Sequence, residues 1–359
     1  MTSKGCLAVI LIVTLAFVVG CNSREVENTS EPSEPQHQEE IIEPDESQVD
    51  IPKAKNPLTG TDMDLQYENQ RPMAVMIENE YNARPQSGLQ KAGVVYEVLA
   101  EGGITRFLAL FLGETVDEIG PVRSGRPYFL DYAMEYDGIY VHYGASPQCY
   151  IDLKQLKIDA IDGIYDNVTF WRDKSRAAPH NAYTSTEKIL KTWEKRGFRR
   201  DTELTFWNFN TEESFSGDMV LEDFELDYFG NYTVRYTYDH DKKAYERFIN
   251  GKPHTDKTTG ESIFVKNIII SFANTKVIDE VGRLSIKTID SGNGYYISNG
   301  YCTNIKWQKD SRTGQTKYTF QDGSSLVINP GNTWIQILPQ WGKFRYDLLG
   351  EGVSIHGFV

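Results

Sequence analysis

Cysteine is scarce in this chain, with four in 359 residues and no Cys-x-x-Cys. Neither a disulfide framework nor a paired-thiol metal or redox motif organises it. Basic charge is short as well: 37 Lys and Arg face 51 Asp and Glu, for a net charge of −14. That balance excludes a general nucleic-acid binder that works by neutralising phosphates. The chain also lacks Gly-Lys-Ser/Thr, a dinucleotide glycine fingerprint, Gly-x-Ser-x-Gly and His-Glu-x-x-His. The standard nucleotide, serine-hydrolase and zinc-peptidase signatures are therefore absent. Long apolar runs are missing too, apart from one at the start.

That run, residues 7–19, follows Lys4 and ends in Val18-Val19-Gly20-Cys21. A single cation, a short apolar core and small or branched residues before a cysteine describe a secretory signal, residues 1–20, with a lipobox. Diacylation of Cys21 would then fix the chain lastingly to a bilayer, since two or more acyl chains hold where one does not. An uncleaved apolar anchor is the alternative, because the run falls only slightly short of the ~20 residues a span needs. Either way a soluble body is tethered outside the cytoplasm, on the outer face of the cytoplasmic membrane. Residues 21–50 carry ten acids against one Arg and few large apolar side chains beyond Ile41 and Ile42. Such a stretch cannot offset its ordering entropy by burial, so it is predicted to be a disordered acidic stalk. Cys6 leaves with the signal and Cys21 takes the lipid. Cys149 and Cys302 remain, either as a disulfide or as two buried thiols.

The body is long enough for two domains. The span 51–210 alternates short apolar runs at 74–78, 94–99, 107–112 and 139–142 with helical patterns. One helix is predicted behind Pro127, with an aromatic stripe from Tyr128, Phe129, Tyr132 and Tyr136. Another opens on Thr184-Ser185-Thr186-Glu187 and closes at Gly197. The span 211–359 reads instead as β-branched and aromatic alternation with a turn signal about every ten residues, and 263–272 looks like one central strand. The predicted fold class is α+β: a mixed α/β domain followed by a mostly β domain, sandwich or barrel-like.

The densest polar chemistry lies in the first half. Glu97 and Glu101 flank a strand end and lead into Arg106. Then comes Gly120-Pro121-Val122-Arg123-Ser124-Gly125-Arg126, opening directly onto the aromatic helix. Guanidiniums beside helix N–H groups suit phosphate or carboxylate, so Arg106, Arg123, Ser124 and Arg126 are predicted ligand-binding residues. The competing reading is a structural loop whose arginines pair with Glu97, Glu101 or carbonyls. Arg172 and His180, in the loop 171–181, join the predicted set if that loop folds over Arg123. His142 and His180 are then candidate acid and base, with Glu97 or Glu101 as orienting carboxylate. No close His pair supports zinc, and neither a metal nor another cofactor is expected. Ser146 precedes Pro147 and reads as a helix cap, not a nucleophile. Forty-four aromatics, including Trp307, Trp334 and Trp341, serve as strand-pair core or as a sugar platform; spacing does not separate the two.

Several runs carry a family likeness: Asn56-Pro57-Leu58-Thr59-Gly60, Arg71-Pro72-Met73-Ala74-Val75-Met76-Ile77-Glu78-Asn79, Glu101-Gly102-Gly103-Ile104-Thr105-Arg106, Gly120-Pro121-Val122-Arg123-Ser124 and Ala178-Pro179-His180-Asn181. With Gly294-Tyr295-Tyr296-Ile297-Ser298-Asn299-Gly300 and Asn329-Pro330-Gly331-Asn332-Thr333-Trp334-Ile335, the body resembles the YerB-like bacterial lipoprotein family. The resemblance implies a two-domain exported lipoprotein of the cell envelope, and it carries over no catalytic residues. The leading expectation is a non-enzymatic binding or assembly protein working on a cell-wall polymer or an envelope protein. The rival is an enzyme acting on a phosphorylated or glycan wall polymer. A transporter's solute receptor fits less well, because such receptors usually have two similar α/β lobes.

Overall fold

The computed structural model describes residues 52–202, 206–348 and 351–357; the signal, Cys21 and the acidic stalk lie outside these. Strand β1 (Met73–Glu78) is followed by β2 (Val94–Leu99), β3 (Thr105–Phe111), helix α1 (Pro127–Glu135) and β4 (Ile139–His142). Helix α2 (Pro147–Gln155), β5 (Ala160–Asp162) and α3 (Thr186–Arg196) complete the first half. The second half adds β6 (Asp223–Phe229), β7 (Tyr232–Asp239), β8 (Ala244–Ile249), β9 (Asn267–Ala273), β10 (Ser291–Ser298), β11 (Tyr301–Gln308), β12 (Thr333–Pro339), β13 (Lys343–Leu348) and β14 (Glu351–His356). The described chain is mostly β, with three α-helices.

An eleven-stranded sheet draws on both halves, with its central order β11-β10-β9-β12-β2-β3-β1-β4-β5. The join falls where β12 lies parallel to β2, pairing Trp334 with Val95 and Gln336 with Glu97. Strands from beyond residue 210 thus continue the first half's sheet and do not close separately on themselves. A second sheet of seven strands contains β8-β7-β6-β13-β14.

Register decides which chemistry faces which layer. Side chains alternate along a strand, and β3 places Arg106 opposite both Glu78 and Val98 while Phe107 lies opposite Glu97. Tyr96, on the Arg106 face, stacks on Tyr132 of α1 at 4.6 Å between ring centres. Glu97 and Phe107, on the other face, meet Arg247 of β8. The helices α1 and α2 therefore cover one face of the large sheet, and the seven-stranded sheet covers the other.

Local signals explain most of the elements. The Ser146 hydroxyl accepts the Cys149 N–H and Pro147 begins α2. Gly197, at φ +66°, closes α3. The cap of α3 is Ser185, accepting from Lys188 N, one residue later than expected. Thr184 instead donates its hydroxyl to the Thr169 carbonyl. The predicted single strand 263–272 is divided at Lys266, because Phe264–Val265 pairs with β8 while β9 pairs with β10 and β12. One apolar run thus serves both sheets. Trp334 is fully buried and Trp307 nearly so, which places both in packing. Cys149 and Cys302 are buried free thiols, each pushed up to about 12 chiefly by burial.

Candidate functional site

At its carboxyl end β1 parts from β4, and the segment around Pro121–Arg123 takes the vacated edge. Glu78 N donates to the Pro121 carbonyl and Arg123 N to that of Met76, while Tyr143 N donates to Arg123 O and Gly125 N to Gly144 O. The loop 119–126 is therefore wedged between the ends of two parallel strands, a position where open mixed sheets commonly bind ligands. Gly125 is required there for space: a Cβ would lie 2.8 Å from the Tyr140 hydroxyl and 3.1 Å from the Cys149 sulfur.

The predicted arginines gather at this point but divide into two kinds. Arg126 clasps Glu101 with Nε and Nη2, the latter at 2.9 Å, and gives Nη1 to Gly125 O. Arg106 gives Nη1 to Ser124 O at 2.8 Å and Nη2 to Glu101 at 3.5 Å. Burial, then the neighbouring Arg126, pulls the Arg106 guanidinium down to about 10. Burial alone would raise Glu101, but the Arg126 fork and Arg106 hold it below the usual carboxylate range. The guanidiniums of both arginines are thus engaged by Glu101 and by the Ser124 and Gly125 carbonyls. At the N-terminus of α1 the N-cap position is Arg126, whose side chain makes no cap hydrogen bond, and Pro127 follows it.

Arg123 differs. Its Nε lies 3.0 Å from Glu78 Oε1, yet its terminal nitrogens have no hydrogen-bond partner among the described residues, and 26% of the side chain is exposed. The Ser124 hydroxyl beside it is likewise unengaged. His180 reaches the same carboxylate from the other side, with Nδ1 3.1 Å from Glu78 Oε2 and 3.6 Å from Glu80 Oε2. Arg172 donates to Asn181 Oδ1 at 2.7 Å and lies over the Tyr143 ring at 4.6 Å, so the loop 171–181 does close on the Arg123 loop. Four guanidiniums (Arg106, Arg123, Arg126, Arg172) and three carboxylates (Glu78, Glu80, Glu101) leave one positive charge when His180 is neutral.

Two expected members stand apart. Glu97, fully buried on the opposite face, accepts from Arg247 Nη2 at 2.6 Å, Tyr232 OH at 2.6 Å and Thr105 Oγ1 at 2.7 Å. Strand alternation puts it beyond reach of the Arg123 loop. His142 is buried beneath α2, with Nδ1 donating to Gly144 O at 2.8 Å. Burial outweighs the nearby Asp162 and keeps its pKa below the ordinary value. It does not meet His180. Glu78 is the residue that sequence reading passed over: embedded in an apolar strand, it looked like a strand end, and only the position opposite Arg106 marks it. Among the described residues, no group of three or more His, Cys, Asp or Glu is arranged to hold a metal ion.

Fold and site together define a mostly β, two-sheet protein with an arginine-rich cluster at the carboxyl ends of parallel strands. Family models described as "Protein of unknown function (DUF3048)", N-terminal domain and C-terminal domain, match residues 58–199 and 224–335. The chain belongs to the YerB-like family: it is 37% identical over 306 residues to "Putative lipoprotein YerB" of Bacillus subtilis (strain 168), covering 84% of this chain and 91% of that one. The crystal structure of the YerB protein from Bacillus subtilis superposes with a TM-score of 0.72 at 35% identity, over 81% of this chain and 99% of that chain.

Proposed function

We propose that this chain is an exported lipoprotein, held by diacylated Cys21 to the outer face of the cytoplasmic membrane, that binds an anionic component of the cell envelope without turning it over. The relative's description as a lipoprotein and the leader ending Val18-Val19-Gly20-Cys21 support the anchor. No helix among the described residues is long and apolar enough to cross a membrane. In this reading 21–50 is the stalk, and 51–210 and 211–359 are the two domains of an α+β body, joined through the shared sheet.

The observation that carries the binding reading is the open fork of Arg123. An arginine held at Nε by a buried carboxylate, with both terminal nitrogens unengaged, is oriented for bidentate recognition of phosphate or carboxylate. Ser124, His180 and Arg172 surround it. Titrating the full-length chain in detergent with inorganic phosphate, phosphorylated polymers and wall fragments tests the reading. Saturable binding that Arg123→Ala removes at unchanged folding supports it; binding indifferent to Arg123→Ala, or none, overturns it. For the anchor, Cys21→Ser should abolish incorporation of labelled palmitate and release the chain from membranes.

One observation favours the enzymatic alternative. His180 with its carboxylate partner Glu78 forms a His–carboxylate pair beside an anion clamp, the arrangement a general base uses. Turnover of a wall polymer that disappears in His180→Ala, with binding retained, would establish it.

A further inference from the structure

We propose that His180 is the second recognition group of the Arg123 site and that the site takes a phosphate-type oxyanion that bears a proton on one oxygen. This rests on the anion reading above and specifies its ligand. The geometry that carries it is the shared carboxylate. Glu78 is 1% exposed, and neither of its oxygens has a hydrogen bond of good geometry, yet Arg123 Nε lies 3.0 Å from one and His180 Nδ1 3.1 Å from the other. The buried carboxylate thus fixes both cationic side chains against a single pivot and places the imidazole proton on Nδ1, the usual consequence of a carboxylate at that nitrogen.

His180 Nε2 is left without a partner among the described residues. On a neutral imidazole this nitrogen is a lone pair, which repels an anion's oxygen. A tetrahedral oxyanion gripped by Arg123 can contact it only through a shared proton, carried by Nε2 or by a ligand oxygen. Phosphate is suited to this because, above its second ionisation, its monohydrogen form still carries a proton on one oxygen, which that oxygen can donate to Nε2. A carboxylate ligand is fully ionised at neutral pH and has no proton to donate. Glu78 and Glu80 face Nδ1, Arg123 approaches from the loop 119–126, and Arg172 and Arg176 lie on the histidine's own loop.

The experiment is calorimetric titration of the full-length chain in detergent with inorganic phosphate at pH 8, in two buffers of different ionisation enthalpy, with acetate in parallel. The expected result is that phosphate, whose monohydrogen form supplies the shared proton, binds roughly tenfold or more tighter than acetate, with no net proton uptake. His180→Asn, a partly exposed position, should retain its circular dichroism spectrum, bind phosphate more weakly and lose most of the preference over acetate. Net proton uptake with phosphate, a preference over acetate that persists unchanged in His180→Asn, or acetate binding as tightly as phosphate would each overturn the inference while leaving an Arg123-dependent anion site standing. If neither ligand nor any envelope polymer binds, the anion reading itself falls.

Discussion

Removing Arg247 should destabilise the whole body, because among the described residues its guanidinium is the sole ion-pair partner of the buried Glu97 carboxylate. Arg247 is fully buried in β8 of the smaller sheet; Glu97, equally buried, belongs to β2 of the larger one. Nη2 meets Glu97 Oε2 at 2.6 Å, Nε donates to Tyr236 OH at 3.2 Å, and the guanidinium lies 4.7 Å from the Trp334 ring centre. Burial alone would lower the Arg247 pKa, but Glu97 and the facing tyrosines hold it above the ordinary value. Arg247→Met preserves volume and abandons the carboxylate, so the expected loss is about 3–5 kcal/mol, the usual cost of orphaning one member of a buried pair. Glu97→Gln keeps the acceptor for Tyr232 and Thr105. The double variant should therefore be more stable than the summed single losses imply, by about 0.5–3 kcal/mol. Urea unfolding followed by tryptophan fluorescence measures all three, with Trp334 reporting directly. Since the pair links the two sheets, the loss should appear as an earlier single transition. An Arg247→Met cost under about 1 kcal/mol, or strictly additive singles, would refute the reasoning.

Acid should destabilise the fold through two histidines. Burial, then Arg247 and Arg84, holds His254 well below its ordinary pKa, and burial lowers His142. Both are neutral when folded and take up protons when unfolded. Their contribution is thus present above about pH 6.5 and is lost as pH falls below it, by up to about 1.4 kcal/mol per pH unit for each. Urea midpoints between pH 7 and 5 should show this, with a shallower slope in His142→Asn; a flat profile contradicts it. Cys149 and Cys302 should resist alkylation at pH 8 in the native chain and label only in denaturant, read by peptide mass spectrometry. Native labelling of either would show that its burial is wrong. Gly125→Ala should cost about 1–3 kcal/mol by overpacking against Tyr140 and Cys149; its φ is not positive, so the effect is steric. An unchanged midpoint would mean that the loop yields freely.

Where the information was local, the sequence was enough. The Ser146 and Gly197 helix boundaries, most strand positions and the convergence of Arg106, Arg123, Arg126, Arg172 and His180 could be read or expected from residue order. Each rests on neighbours within a few positions, or on runs that had only to fold near one another. Tertiary structure alone decided the pairing. Glu97 and Glu101 looked equivalent as orienting carboxylates, but strand alternation sends Glu97 to the far face, where a residue 150 positions away neutralises it. Glu78, unremarkable within an apolar strand, becomes the pivot of the site because β3 brings Arg106 opposite it and the loop 119–126 lays Arg123 across its carboxylate. Which arginines are consumed and which stays open depends on distances between segments far apart in the chain, and hydrophobic pattern and turn chemistry hold no record of those distances.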